Sequence, residues 1–164
     1  MKKLVLLIGF LIIGLSSFSQ ESLADLLKQY NTNAVPYISV QELAMPKTQV
    51  ILLDAREPQE YNISHLKDAI LVGYDNFDIK TMEQNFTNKS ELIVVYCSLG
   101  IRSEDIAEKL QNSGYTNVYN LYGGIFEWKN NGFKVYNNNE ETNKVHGFSK
   151  EWSKWLLKGD CVYE

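Results

Sequence analysis

The segment Val94-Val95-Tyr96-Cys97-Ser98-Leu99-Gly100-Ile101-Arg102-Ser103 joins an apolar run to a thiol, then to a glycine and an arginine. A cysteine at the end of a buried strand, followed by a loop that opens a helix, can serve as a nucleophile. Free N–H groups and the dipole at a helix start stabilise negative charge. Gly100 lets successive amides turn inward, and Arg102 adds a forked cation suited to an oxyanion. Such surroundings favour a thiolate over a thiol. The competing reading is a buried, inert cysteine, a common fate for this residue. The spacing of Cys97 and Arg102 alone leaves both open.

Other polar residues have plainer readings. Asp54 ends another apolar run, where it pairs with Arg56 or accepts backbone N–H bonds as an anchor. Arg56 is a candidate to line the pocket and attract an anionic donor, and Glu60 is read as a helix-surface or salt-bridge residue. His65 reads as a hydrogen-bonded turn residue, with no base for Cys97 in view. His65 and His146 lie far apart, and neither sits in a metal-ligand spacing. Cys161 could resolve or bond Cys97, or be a bystander in the tail.

These residues need a frame. Residues 22–30 carry Leu23, Leu26, Leu27 and Tyr30 at helical spacing behind Ser22 as a cap. Residues 37–40, 49–53, 69–72, 92–96 and 118–121 read as short apolar strands. Between them, residues 40–44, 57–62, 77–86 and 104–111 read as helical, and residues 125–130 follow the Gly123-Gly124 pair as another helix. Alternation of this kind predicts an α/β fold, a central mainly parallel β-sheet flanked by helices on both faces. Ligand sites in such sheets gather at the carboxyl ends of the strands, where Cys97 falls. Residues 137–141 read as a polar joint, before a last helix whose Trp152, Trp155 and Leu156 pack on the domain.

Several segments together resemble the rhodanese-like domain family. Leu53-Asp54-Ala55-Arg56-Glu57-Pro58-Gln59-Glu60-Tyr61 is similar to its D-x-R-x-x-x-E-[YF] segment. Ser64-His65-Leu66-Lys67-Asp68-Ala69-Ile70 is similar to G-H-I-x-G-A, with Ser64 and Asp68 in place of glycines. The cysteine loop is similar to the family's active-site loop. Gly114-Tyr115-Thr116-Asn117-Val118 and Leu121-Tyr122-Gly123-Gly124-Ile125-Phe126-Glu127-Trp128 resemble its closing pieces. The resemblance implies a single-domain sulfurtransferase in which Cys97 takes sulfur from a donor such as thiosulfate and carries it as a persulfide. Arg102 and the amides of Ser98, Leu99, Gly100, Ile101 and Ser103 would stabilise the anionic species. It implies no metal or organic cofactor, a small anionic sulfur donor, and a thiol or cyanide acceptor, a protein acceptor included. Phosphatases built on this fold use Cys-x5-Arg; the shorter Cys-x4-Arg here suits one sulfur atom rather than a tetrahedral oxyanion.

The start, Met1-Lys2-Lys3 followed by an apolar run over residues 4–15 and Ser17 and Ser19, reads as a secretory signal peptide cut after Ser19. The run is too short for a confident membrane span, so no stable membrane insertion is expected after cleavage. The expected organisation is a signal over residues 1–19, a helical extension over 20–34, a rhodanese-like domain over 35–133, and the joint and tryptophan helix over 134–164. The chain has 16 basic and 20 acidic residues; without Lys2 and Lys3 the balance is 14 to 20, or −6. That argues against nucleic acid as a partner. The expected place is exported, periplasmic ahead of extracellular. Alternatives are a non-catalytic binding module and a thiol redox protein using Cys97 with Cys161.

Overall fold

The computed structural model describes residues 22–46 and 49–163; the expected signal segment lies outside the described residues. Strands β1 (Tyr37–Ile38), β2 (Ile51–Asp54), β3 (Ile70–Leu71), β4 (Ile93–Tyr96) and β5 (Val118–Leu121) form one sheet in the order β1-β5-β4-β2-β3. Every pairing in it is parallel. β4 is central, and all four of its side chains are buried. Alternate residues leave opposite faces of a strand. Val94 and Tyr96 therefore enter one core cluster, and Ile93 and Val95 enter the other. A strand covered on both sides reads as an unbroken apolar run.

The connections are α1 (Leu23–Tyr30), α2 (Val40–Ala44), α3 (Pro58–Ile63), α4 (Ile79–Asn85), α5 (Arg102–Asn112) and α6 (Gly124–Asn130). Leu26 of α1, Leu43 of α2 and Phe126 of α6 bury against one face of the sheet. Met82 of α4 and Ile106 and Leu110 of α5 bury against the other. α1 starts where the Ser22 hydroxyl accepts the Asp25 N–H at 3.1 Å and the Asp25 carboxylate answers the Ser22 N–H, a capping box.

The tail differs from its sequence reading. The polar joint is a hairpin of β6 (Val135–Asn137) and β7 (Glu140–Thr142), paired antiparallel. Asn138 turns it with φ +53°, a left-handed conformation that asparagine tolerates better than most residues. A bridge between His65 and Tyr136 ties the hairpin to the loop after α3. Next come β8 (Lys144–His146) and β9 (Asp160–Val162), paired parallel. The expected last helix is a single 3-10 turn over Trp152–Trp155, and Trp152, Trp155 and Leu156 do pack against the core. Asn130 of α6 ends that turn. Its amide donates to the Trp155 carbonyl at 2.9 Å, and its oxygen accepts the Leu157 N–H at 2.7 Å and the Lys158 N–H at 3.1 Å.

Candidate active site

Cys97 follows β4, and its loop runs to Arg102, the first residue of α5. The loop is shaped from behind. The first amides of α6 take its carbonyls: Ile125 N–H donates to Cys97 O at 2.9 Å and Phe126 N–H to Ser98 O at 3.1 Å. Gly124 permits this approach, since a Cβ there would stand 2.3 Å from the Cys97 carbonyl oxygen. Further along, Asn31 and Asn120 each donate to the Gly100 carbonyl at 2.8 Å. In a trans peptide the N–H opposes the C=O. Tying back the carbonyls of residues 97, 98 and 100 thus turns the N–H groups of Ser98, Leu99 and Ile101 to the other side.

Gly100 adopts φ +100°, and its N–H donates to Cys97 Sγ at 3.1 Å. It is the one loop amide bonded to Sγ among the described residues. The Ser103 hydroxyl lies 3.5 Å from Sγ and 2.7 Å from Asn120 Oδ1. Cys97 is 2% exposed and forms part of the wall of a pocket of about 220 Å³. Ser98, Leu99, Ile101 and Arg102 share the loop side of this pocket. Tyr30, Phe148 and Trp152 close it from α1 and the tail.

Arg102 is not the free cation that its spacing suggested. Its Nη1 and Nη2 donate to the two oxygens of Glu60, each at 2.8 Å, and Nη2 also reaches Ser98 Oγ at 3.1 Å. Glu60 is a buried salt-bridge residue rather than a surface one, 1% exposed. Burial pushes the Glu60 pKa up, but the Arg102 hydrogen bonds and charge, with the Glu57 N–H, outweigh it and hold the carboxyl below its usual range. Burial likewise opposes the charge of Arg102. The hydrogen bonds to Glu60 and the charge of that carboxylate prevail, so its pKa rises.

Arg56 does not line the pocket. It is fully buried, with Nε and Nη2 on Asp54 at 2.9 and 2.6 Å and Nη2 also on the Ser64 carbonyl at 2.6 Å. The Arg56 amide donates to Asp54 as well, at 3.0 Å. The pair ties the end of β2 to the end of α3. His65 sits at the turn after α3, its Nδ1 2.9 Å from the Leu66 carbonyl and its ring stacked on Tyr61 at 4.1 Å. Cys161 is exposed on β9 and not bonded to Cys97. No group of His, Cys, Asp and Glu among the described residues is arranged to hold a metal. A wider hollow of about 760 Å³ lies by the amino ends of β2 and β4, away from the cysteine loop.

Sequence reasoning missed Asn31 and Asn120, which position Gly100, and Tyr30 and Phe148, which close the pocket. Nothing local marks them. They lie in three separate parts of the chain, at residues 30–31, 120 and 148.

Cys97 thus stands at the carboxyl end of the central parallel strand with the Gly100 N–H on its sulfur. Residues 39–131, more than half of the chain, match the Rhodanese-like domain family. The chain belongs to that family. Its curated relatives include a tRNA uridine(34) hydroxylase of Aster yellows witches'-broom phytoplasma, 32% identical over 117 residues, which are 70% of this chain and 37% of that protein. The chain thus spans little more than a third of that relative's length. Among solved structures, a thiosulfate sulfurtransferase from Pseudomonas aeruginosa superposes with TM-score 0.58 at 20% identity, covering 74% of this chain and 23% of that one. A rhodanese-related protein from Thermoplasma volcanium gives TM-score 0.51 at 23% identity, covering 62% of this chain and 98% of that one. These superpositions show a shared fold, the parallel five-stranded sheet flanked by helices. Every residue of the rhodanese-like cysteine loop here falls inside the matched segment.

Proposed function

We propose that this rhodanese-like chain is an exported sulfurtransferase that carries sulfane sulfur as a persulfide on Cys97. The observation that carries this reading is the placement of Sγ at the wall of a pocket, 3.1 Å from the Gly100 N–H, in a loop whose carbonyls are tied back. The thiolate attacks the outer sulfur of a donor, of which thiosulfate is the simplest. A bond forms from Sγ to that sulfur, the donor S–S bond breaks, and its electron pair leaves with sulfite. A thiolate or cyanide then attacks the outer sulfur of the persulfide, and the pair of that S–S bond returns to Sγ. The Gly100 amide and the helix start favour anionic sulfur in both halves. The step needs no metal or organic cofactor, since the nucleophile and leaving groups carry their own charge.

Export rests on the two lysines, the apolar run and the small residues before position 20. The likeness to a tRNA-modifying protein is confined to about a third of that protein. An acidic balance offers no general attraction for a phosphate backbone. Intact mass after incubation with sulfane-sulfur donors tests the chemistry. One added sulfur atom on the protein, absent in Cys97→Ser and removed by cyanide as thiocyanate, is expected. A protein that gains no sulfur from any donor rules the reading out.

A further inference from the structure

We propose that the pocket over Cys97 selects an organic sulfane-sulfur donor with a flat apolar body, and that Tyr30, Phe148 and Trp152 set this preference. The inference rests on the sulfur-transfer reading and narrows its donor. Three observations carry it.

The first is the roof. The side of the pocket facing the cysteine loop is aromatic, from Tyr30, Phe148 and Trp152, and Leu99 and Ile101 add apolar walls. Tyr30 and Trp152 meet edge to face, with ring centroids 5.4 Å apart. A dry apolar cavity of roughly 150 Å³ is enough to hold benzene. The 220 Å³ here accepts one ring beside the reacting group.

The second is charge. Arg102 is the one charged residue lining the pocket among the described residues, and Glu60 already takes both arms of its fork. The Phe148 ring covers the same guanidinium at 4.6 Å. A doubly charged inorganic anion entering here gives up water without meeting an unpaired cation, which is costly. A singly charged donor on an apolar ring leaves its ring against the roof and presents only its sulfur to the amide.

The third is construction. The roof residues all lie outside residues 39–131, the part matched to the family. Phe148 is held at φ +61°, a conformation that L side chains rarely adopt, and its N–H donates to His146 Nδ1 at 3.1 Å. The residue is 44% exposed, yet its ring lies 4.6 Å from the Arg102 guanidinium carbon.

The reacting step balances as before. Sγ attacks the outer sulfur of an aryl thiosulfonate, the S–S bond to the sulfonyl group breaks, and the electron pair departs with the aryl sulfinate. The test uses the whole chain as exported and compares benzenethiosulfonate, methanethiosulfonate and thiosulfate as donors. Loading of Cys97 is followed by intact mass. The two thiosulfonates share a reacting group and differ in the ring. Benzenethiosulfonate is expected to show a KM for loading about tenfold or more below that of methanethiosulfonate, the scale on which apolar pockets discriminate. Phe148→Gly, which removes the ring and suits the left-handed backbone, should bring the two KM values close together. Trp152→Leu should do the same while retaining bulk against the core. Equal KM values in the unaltered protein, or a ratio that both variants leave unchanged, overturn the selectivity while sulfur transfer stands. Loading by none of the three donors overturns the sulfur-transfer reading and this inference with it.

Discussion

Replacing Glu60 by glutamine should cost this protein about 3 kcal/mol of stability at pH 7, the low end for breaking a buried ion pair. Glu60 accepts from Arg102 Nη1 and Nη2 at 2.8 Å each, from Ser98 Oγ at 3.0 Å and from the Glu57 N–H at 3.0 Å. Oε1 faces Ser98 and Arg102 Nη2; Oε2 faces Arg102 Nη1 and Glu57. Whichever oxygen becomes NH2, two donors are left pointing at a donor. Arg102 then keeps its charge but loses one of its two carboxylate acceptors; its side chain is 15% exposed, and that residual access to water keeps the cost at the low end.

Urea unfolding across pH provides the assay. Because the folded-state pKa of Glu60 is depressed, its contribution is fully present above the ordinary glutamate value of about 4.3. It is lost as pH falls through the depressed value. Glutamine has no such contribution to lose, so the gap between the two proteins should be widest at neutral pH and narrow in acid. A cycle with Arg102→Met should return a coupling of about 2 kcal/mol. A gap below about 1 kcal/mol at pH 7 would refute a buried pair whose partners depend on each other. So would a gap that stays constant into acid.

Two further perturbations probe the loop from behind. Gly124→Ala places a Cβ 2.3 Å from the Cys97 carbonyl oxygen, where contacts stay above 3.0 Å, at a residue with φ +55°. The loop must retreat by about 0.7 Å, and a shift on the order of 1 Å can cost about 100-fold in rate. Sulfur loading of Cys97 should therefore fall sharply in a protein whose circular dichroism still shows the fold. Asn120→Ala removes the donor to the Gly100 carbonyl and the acceptor for the Ser103 hydroxyl, costing about 2 kcal/mol by denaturant unfolding. Asn31 still holds that carbonyl, so loading should drop much further when Asn31→Ala is added.

The sheet was legible because burial on both faces writes itself into composition. Residues 92–96 stand out as an apolar run, and β4 forms there. Gly114, with φ +91°, marked the end of α5. The tail was not legible in the same way. Whether residues 152–155 continue as a helix depends on Asn130, which takes the Leu157 and Lys158 amides from 27 and 28 residues away. No periodicity within the tail records that partner. Likewise the hairpin over residues 135–142 answers to a bridge with His65, on another part of the chain.

The amino-acid order by itself settled the parallel sheet and the position of the thiol at its carboxyl edge, since both follow from runs of neighbouring residues. The folded structure alone decided who neutralises whom. Arg102 finds Glu60 across 42 residues of chain, and Arg56 turns inward to Asp54 instead of facing the pocket. It also decided that aromatic side chains from α1 and the tail close over the sulfur. Charge pairing and pocket walls depend on distances through space, and separation along the chain carries no record of those distances.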